Sequence, residues 1–163
     1  MISDSFVLKG WPVLEEKNNY ERYEAVRRKT DDEYESMISA FGISKGTMMI
    51  IFTLYSLGRP CTQKEICEDW YENKQTINSA AKKLVNEGII DIAPSPENLR
   101  EKLLVFTEKG KFLAMRTVGK MLLAEKTAFG KLSDEEQKTA VVLSEKFHGY
   151  LKEEFEKIKG ENK

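Results

Sequence analysis

The sequence predicts a mainly α fold carrying one small β-hairpin, and three observations lead there. Apolar residues recur at steps of three and four over most of the chain, the period of a one-sided helix. Side-chain caps and glycine stops divide those stripes into separate helices. Only two short runs, Ile89–Ile92 and Lys102–Phe106, have the character of strands, and the turn Pro94-Ser95-Pro96-Glu97-Asn98 joins them into a hairpin of eighteen residues, 89–106.

The chain opens with Met1 to Pro12, mixed in polarity and ending in Trp11-Pro12, which reads as an extended arm whose Phe6, Val7, Leu8 and Trp11 would need cover. From about Lys17 to Phe41 the apolar stripe runs through Tyr23, Val26, Tyr34, Met37, Ile38 and Phe41, with Arg27, Arg28, Lys29, Asp31, Asp32 and Glu33 on the wet side. Gly42 closes this helix, and Ser44 can cap a second one through Leu57. Met48 to Leu54 of that second helix is apolar nearly all round, which belongs at the centre of a fold. Gly58-Arg59-Pro60 breaks the chain, and Thr62-Gln63-Lys64-Glu65 is a capping box for a short helix to about Trp70. Tyr71-Glu72 is a turn, Asn73 an N-cap, and the next helix runs to Glu87 with Gly88 at its C-terminal cap. After the hairpin, Thr107 caps a helix expected to reach Phe129, although Gly110 and Gly119 weaken its propensity. Ser133-Asp134-Glu135-Glu136 opens a last helix to about Ile158. Along it Ala140, Leu143, Phe147, Leu151, Phe155 and Ile158 form a seam that a second copy of the chain would cover, so a dimer is expected.

Composition excludes several classes. A chain of 163 residues, 40% apolar and 33% charged, is neither disordered nor collagen-like, and its apolar runs are too short to span a membrane. No basic region leads into an apolar stretch and a small-residue cleavage site, and there are only two cysteines, so a reducing cytoplasm is expected. Enzyme chemistry finds little footing. His148 is the only histidine and sits in the last helix, where a structural or merely exposed role suffices. Cys61 and Cys67 fit no zinc spacing; Cys67 reads as a small packing residue, and Cys61, beside a turn, is expected to be exposed and oxidisable. There is no Gly-rich phosphate loop, HExxH or GxSxG, and no cofactor or metal is implied.

The informative feature is local. Net charge is −1, yet the run Lys74 to Lys83 carries three lysines and no acid. It lies on the second helix of the succession short helix, tight turn, helix, β-hairpin across residues 62–106. That order describes a winged helix-turn-helix, whose second helix enters the major groove while the hairpin reaches flanking backbone or minor groove. Ile77, Ala80, Ala81, Leu84 and Val85 make this helix's inner stripe, and the two alanines permit close approach to a neighbouring helix. Lys74, Gln75, Asn78, Ser79, Lys82 and Lys83 make the outer one. Amides on that face can bond adenine bidentately, and lysines attract phosphate or guanine. The alternative is an amphipathic surface helix with solubilising lysines.

In this order of elements the chain resembles the MarR family of winged-helix transcription regulators, over about residues 15 to 158. The resemblance is carried by Thr62-Gln63-Lys64-Glu65-Ile66, Lys74-Gln75-Thr76-Ile77-Asn78, Leu84-Val85-Asn86-Glu87-Gly88-Ile89-Ile90, Phe106-Thr107-Glu108-Lys109-Gly110 and Leu132-Ser133-Asp134-Glu135-Glu136. It implies a winged helix-turn-helix over residues 44–106, flanked by an N-terminal arm and dimerisation helix (1–43) and C-terminal dimerisation helices (107–163). It also implies a homodimeric repressor placing two recognition helices in successive major grooves of a pseudo-palindromic duplex, about 34 Å apart. DNA contacts are expected from Lys74, Gln75, Thr76, Asn78, Ser79, Lys82 and Lys83, and from Asn98, Arg100 and Lys102 of the wing. A small aromatic or anionic effector is implied between the dimer helices and the DNA-binding lobe, with Tyr34, Met37, Met49, Phe52 and Met115 as candidate lining. Two positions depart from the family pattern: Asn98-Leu99-Arg100 replaces Asp-x-Arg in the wing, and Asp91 stands where an arginine is usual. Those departures and the near-zero net charge keep open a second reading, a winged-helix dimer that binds another protein with weak or no DNA binding.

Overall fold

The computed structural model of the chain describes residues 18–161; the arm of residues 1–12 and its apolar side chains lie outside the described residues. Helix α1 (Asn19–Ala40) starts where the Asn18 side chain accepts the Glu21 amide at 3.0 Å. It ends ahead of Gly42, whose φ of +66° suits a residue without Cβ. No residue of α1 is buried, although Ile38 and Phe41 at its end pack on the core. Helix α2 (Lys45–Leu57) is the centre of the molecule, with Gly46 to Ile51, Thr53 and Leu54 buried. Ser44 caps its first turn, as the sequence predicts, and Gly58, at φ +63°, caps its last where the sequence reads a break.

After Gly58 the chain forms a two-residue strand β1 (Cys61–Thr62), then α3 (Gln63–Trp70) and α4 (Lys74–Asn86). Strands β2 (Ile90–Pro94) and β3 (Lys102–Phe106) follow. β1 is a correction to the sequence reading: the sheet has three antiparallel strands in the order β1-β3-β2, with Cys61 opposite Leu104 and Ile92 opposite the same residue from the other side. A two-residue strand carries no alternation to read, and it exists because β3 offers it an edge. Cys61 is corrected with it. It is fully buried, and desolvation pushes its thiol up to about 11, so it is a packing residue and no exposed oxidisable thiol. Cys67 packs against the core, as expected.

The helix expected from Thr107 to Phe129 is two helices, α5 (Glu108–Arg116) and α6 (Val118–Phe129). Thr117 breaks it with φ −114° and ψ −88°, its hydroxyl donating to Leu113 O at 2.8 Å. The break serves packing. Ala114, Val118 and Met121 are all buried, and Gly119 lies so close to Tyr55 of α2 that a Cβ would stand 2.8 Å from its hydroxyl oxygen. Propensity signals a weak helix at Gly119, but only the tertiary contact turns weakness into a bend. Helix α7 (Asp134–Glu161) opens with the Ser133–Glu136 capping box and has no buried residue. Tyr23 of α1 meets Phe147 of α7 edge to face at 5.2 Å, which joins the two long helices. Among the described residues no single helix is long and apolar enough to cross a bilayer.

Candidate nucleic-acid interface

Two capped helices and a braced hairpin build the surface that the sequence singles out. The α3 box is complete: Thr62 Oγ1 accepts the Glu65 amide at 3.0 Å and the Glu65 carboxylate accepts the Thr62 amide at 2.7 Å. Those bonds, led by the Thr62 backbone and joined by Arg59, hold the Glu65 carboxyl below its ordinary range. Tyr71 then turns the chain in the left-handed region, φ +51°, with its amide returned to Cys67 O. Asn73 caps α4 by accepting the Thr76 amide at 2.8 Å.

Helix α4 divides as the sequence predicts. Ile77, Ala80, Ala81 and Leu84 are buried and Val85 is half-buried. The inner stripe rests on α2 at short range, since a Cβ on Gly46 would meet Ala80 Cβ at 3.1 Å and Thr76 Cγ2 at 3.3 Å. Lys74, Gln75, Ser79, Lys82 and Lys83 are exposed and Asn78 is half-buried. Two members of the predicted set have other partners. Thr76 spends its hydroxyl on Asn73 Oδ1 at 3.1 Å and its methyl beside Gly46, so it secures the cap and the helix contact. Lys83 lies 3.9 Å from Glu87, a surface pair of little strength.

The wing is shaped by its own backbone. Ser95 N–H donates to Glu101 O at 2.9 Å, Glu101 N–H to Asn98 O at 2.8 Å, and Arg100 N–H to the Asn98 side-chain oxygen at 3.2 Å. The last is an Asx turn, in which an amide oxygen serves as well as a carboxylate. Asn98 in place of aspartate therefore preserves the loop while removing a negative charge from the wing tip. Asn98, Arg100 and Lys102 are all exposed there, with Leu99 79% exposed between them. Asp91 is exposed on β2, the strand that leads into the wing.

One junction joins α4, the wing and α5, and sequence reasoning missed it. Thr107 Oγ1 lies 2.7 Å from Gly88 O and 3.1 Å from Ile89 O and accepts the Gly110 amide at 3.0 Å; Lys109 Nζ donates to Glu87 O at 2.7 Å. Gly88 is left-handed at φ +66°, and a Cβ on Gly110 would stand 2.0 Å from Ile89 O. The Thr-x-x-Gly of residues 107–110 is thus a close backbone crossing, and Gly110 is required there, where propensity alone reads it as a weakness.

A second feature lies outside this surface. A cavity of about 730 Å³ opens between α1, α2, α3 and α6. Of the five predicted effector residues it gathers Tyr34, Met49 and Phe52. Met37 is 42% exposed on α1 and outside the lining, while Met115 of α5 lines a separate groove of about 270 Å³ with Tyr55, Arg59 and Lys111. A single apolar stripe places Met37 with Tyr34, but only the crossing of α1 over α2 decides which side faces inward. The reading missed Trp70, Lys45, Glu35 and Glu125, which line the larger cavity. Trp70, at the end of a short helix, was the one available signal. Its indole N–H donates to Thr53 Oγ1 at 2.9 Å, and its ring meets Phe52 edge to face at 5.4 Å. Burial first, then the charge of Glu125 beside it, raises the Tyr34 phenol above its ordinary pKa.

Residues 44–110 match the family model described as winged helix DNA-binding domain. The chain is similar to the HTH-type transcriptional regulator PrsX of Escherichia coli, 23% identical over 125 residues that cover 76% of this chain and 75% of that protein. Among solved structures it is similar to NMB1585, a MarR family regulator from Neisseria meningitidis, at 24% identity and TM-score 0.69, covering 90% of this chain and all (100%) of that one. It is also similar to MepR of S. aureus in its DNA complex, at 16% identity and TM-score 0.66, covering 82% and 96% of the two chains. The fold is that of the MarR family regulators: a winged helix-turn-helix carried between long terminal helices.

Proposed function

We propose that this chain, which folds as the MarR family regulators do, is a cytoplasmic, homodimeric DNA-binding transcription regulator. It acts as a repressor and leaves its DNA when a small effector binds. Residues 44–106 read the duplex, and residues 1–43 and 107–163 hold the two copies together. The observation that carries the reading is the outer face of α4: Lys74, Gln75, Ser79 and Lys82 are exposed together with no acid between Lys74 and Lys83. Gln75 and Asn78 are the base readers, while Lys74, Lys82, Lys83 and Ser79 meet phosphate. Asn98, Arg100 and Lys102 carry the wing to the flanking groove. Thr76 acts only through the Asn73 cap.

Support for the dimer comes from α1 and α7, which have no fully buried residue within one copy and leave Val26, Leu143 and Phe155 64%, 59% and 51% exposed. Apolar faces of that length are ordinarily covered by a partner. Support for effector control comes from the cavity's place between α1 and α6 on one side and α2 and α3 on the other. Its occupant would bias how the DNA-binding lobe sits on the dimer arms.

The test is fluorescence anisotropy on duplex from upstream of the chain's own gene beside a random duplex, from about 50 to 200 mM salt, where several phosphate contacts should cost orders of magnitude in affinity. Tight, selective, salt-sensitive binding is expected. Weak and equal binding to both duplexes would overturn the regulator reading in favour of a protein-binding winged helix, with Asp91 as the first residue to replace.

A further inference from the structure

We propose that the cavity between α1, α2, α3 and α6 takes a hydrophobic organic cation, where the resemblance implies a small aromatic or anionic effector. This deepens the effector part of the function proposed above and rests on that reading only for its consequence at DNA. The floor of the cavity is apolar and polarisable. Met48 and Met49 are 6% and 4% exposed, Phe52 and Trp70 cross edge to face, and Ile38 and Ile43 complete it. Methionine adapts to irregular apolar ligands, and aromatic faces attract cations. Because the indole N–H of Trp70 is already given to Thr53, the ring can offer an occupant only its π surface and edge.

The polar lining has one dominant sign. Asp31, Glu35 and Glu125 face a single base, Lys45. Arg27 stands 3.2 Å from Asp31 and offsets that carboxylate. Glu35 and Glu125 are left, and neither forms an ion pair among the described residues. They stand on different helices, α1 and α6, so an occupant carrying positive charge would bring the two together across the opening. An anion of the same shape would have to leave water beside two carboxylates that no basic side chain pairs, Glu35 and Glu125, the second accepting a hydrogen bond from the Tyr34 phenol, with only Lys45 to attract it. The volume of about 730 Å³ admits a multi-ring molecule and far exceeds what a metal ion or simple ammonium would fill.

The experiment uses two probes of nearly one shape and opposite charge, tetraphenylphosphonium and tetraphenylborate. Each is titrated by calorimetry into the full chain without DNA. Quenching of Trp70 is followed in parallel in a Trp11→Phe background. The expected result is saturable binding of the cation, one per chain, with the anion at least about tenfold weaker, a ratio that two partly exposed charges can supply. Glu35→Gln combined with Glu125→Gln should weaken the cation by about tenfold and narrow the gap between the probes. Glu35→Gln alone, on an exposed position, should give part of that loss with an unchanged circular dichroism spectrum. Equal or tighter binding of the borate, no saturable binding of the phosphonium, or indifference to both substitutions would overturn the proposal. Because no DNA is present, a failure here leaves the regulator reading standing. Conversely, cation binding in a protein that ignores DNA would uphold the cavity's ligand class and sink the regulator.

Discussion

Replacing Gly110 by alanine sets two effects against each other, and the structure decides which wins. In an isolated helix the change should stabilise by up to about 1 kcal/mol, because glycine is the poorest ordinary helix former. Here the new Cβ would stand 2.0 Å from Ile89 O and 2.9 Å from Phe106 Cδ1, whereas ordinary contacts begin at 3.4 Å. The obstacle at 2.0 Å is backbone, so no side-chain rotation relieves it. The first turn of α5 must retreat by more than 1 Å (3.4 minus 2.0 leaves 1.4). That retreat stretches the Thr107 amide to Ile89 O bond, now 3.1 Å, and the Thr107 hydroxyl contacts with Gly88 O and Ile89 O. At about 1 kcal/mol net for each, with further strain where buried carbonyls lose their donors, the loss is about 2–4 kcal/mol. After the propensity gain the variant should be about 1–3 kcal/mol less stable. For a chain of 163 residues, at about 2–4 °C per kcal/mol, this lowers the melting temperature by several degrees. Gly149→Ala is the internal control, since nothing lies within 4 Å of a Cβ there and propensity alone should act. The assay is thermal unfolding by circular dichroism at one fixed protein concentration, because a dimer's midpoint depends on it. If Gly110→Ala matched or exceeded Gly149→Ala in stability, the junction of α4, wing and α5 would not be the close crossing described.

Three further outcomes are expected. Lys82→Ala should weaken specific and random duplex alike and lower the salt slope by about 1, whereas Gln75→Ala or Asn78→Ala should erode sequence preference by about 1–3 kcal/mol; equal loss on both duplexes for all three would remove the base-reading assignment. Leu143→Lys with Phe155→Lys, on the exposed side of α7, should shift sedimentation from dimer to monomer, and an unchanged dimer would place the interface elsewhere. Cys61, its thiol pushed up to about 11 by burial, should resist thiol reagents at pH 8, where only about one molecule in a thousand is thiolate. Its folded pKa lies above the unfolded one, so its contribution is intact below the ordinary thiol pKa and fades as pH rises towards about 11; unfolding should become easier across that window in wild type and less so in Cys61→Ala. Rapid labelling at pH 8 would contradict the buried placement.

Local signals made the helices and their ends legible. Ser44, Thr62, Asn73, Thr107 and Ser133 are each read as caps, and each caps in the structure, because a cap bonds within three residues. The strand run Lys102–Phe106 holds to the residue. The errors share one physical origin, contacts distant in sequence. Strand β1 pairs only with β3, Cys61 is buried within that pairing, and the break at Thr117 falls where Gly119 packs closely on Tyr55. The same holds at the candidate sites. The face of α4 lies on one helix and can be read from its period. The cavity draws on four helices, so the stripe of α1 alone cannot say which of Tyr34 and Met37 lines it.

The two sites are nevertheless close along the chain, and this is where the fold bears on control. Trp70 lines the cavity and is the last residue of α3; Tyr71 follows in the left-handed region, Glu72 lies next, and Asn73 caps the recognition helix. Glu72 carboxylate accepts both the Asn73 amide, at 2.8 Å, and its side-chain nitrogen, at 2.7 Å, so the cap's orientation depends on the turn that precedes it. A Trp70 ring displaced by an occupant cannot be absorbed by a flexible loop, because only two residues separate it from the cap. At its other end, α4 is tied through Gly88 and Glu87 to Thr107 and Lys109, hence to α5 and the wing. Helix α4 and the wing are therefore tied together, and under the function proposed above they would shift as one unit. A coupling of 1–3 kcal/mol, about the ordinary range for allosteric regulators, requires only that the occupied cavity favour one of two settings of that unit. Glu125 on α6 and Trp70 on α3 both line that cavity, so an occupant would touch both a terminal helix and the helix that leads into α4.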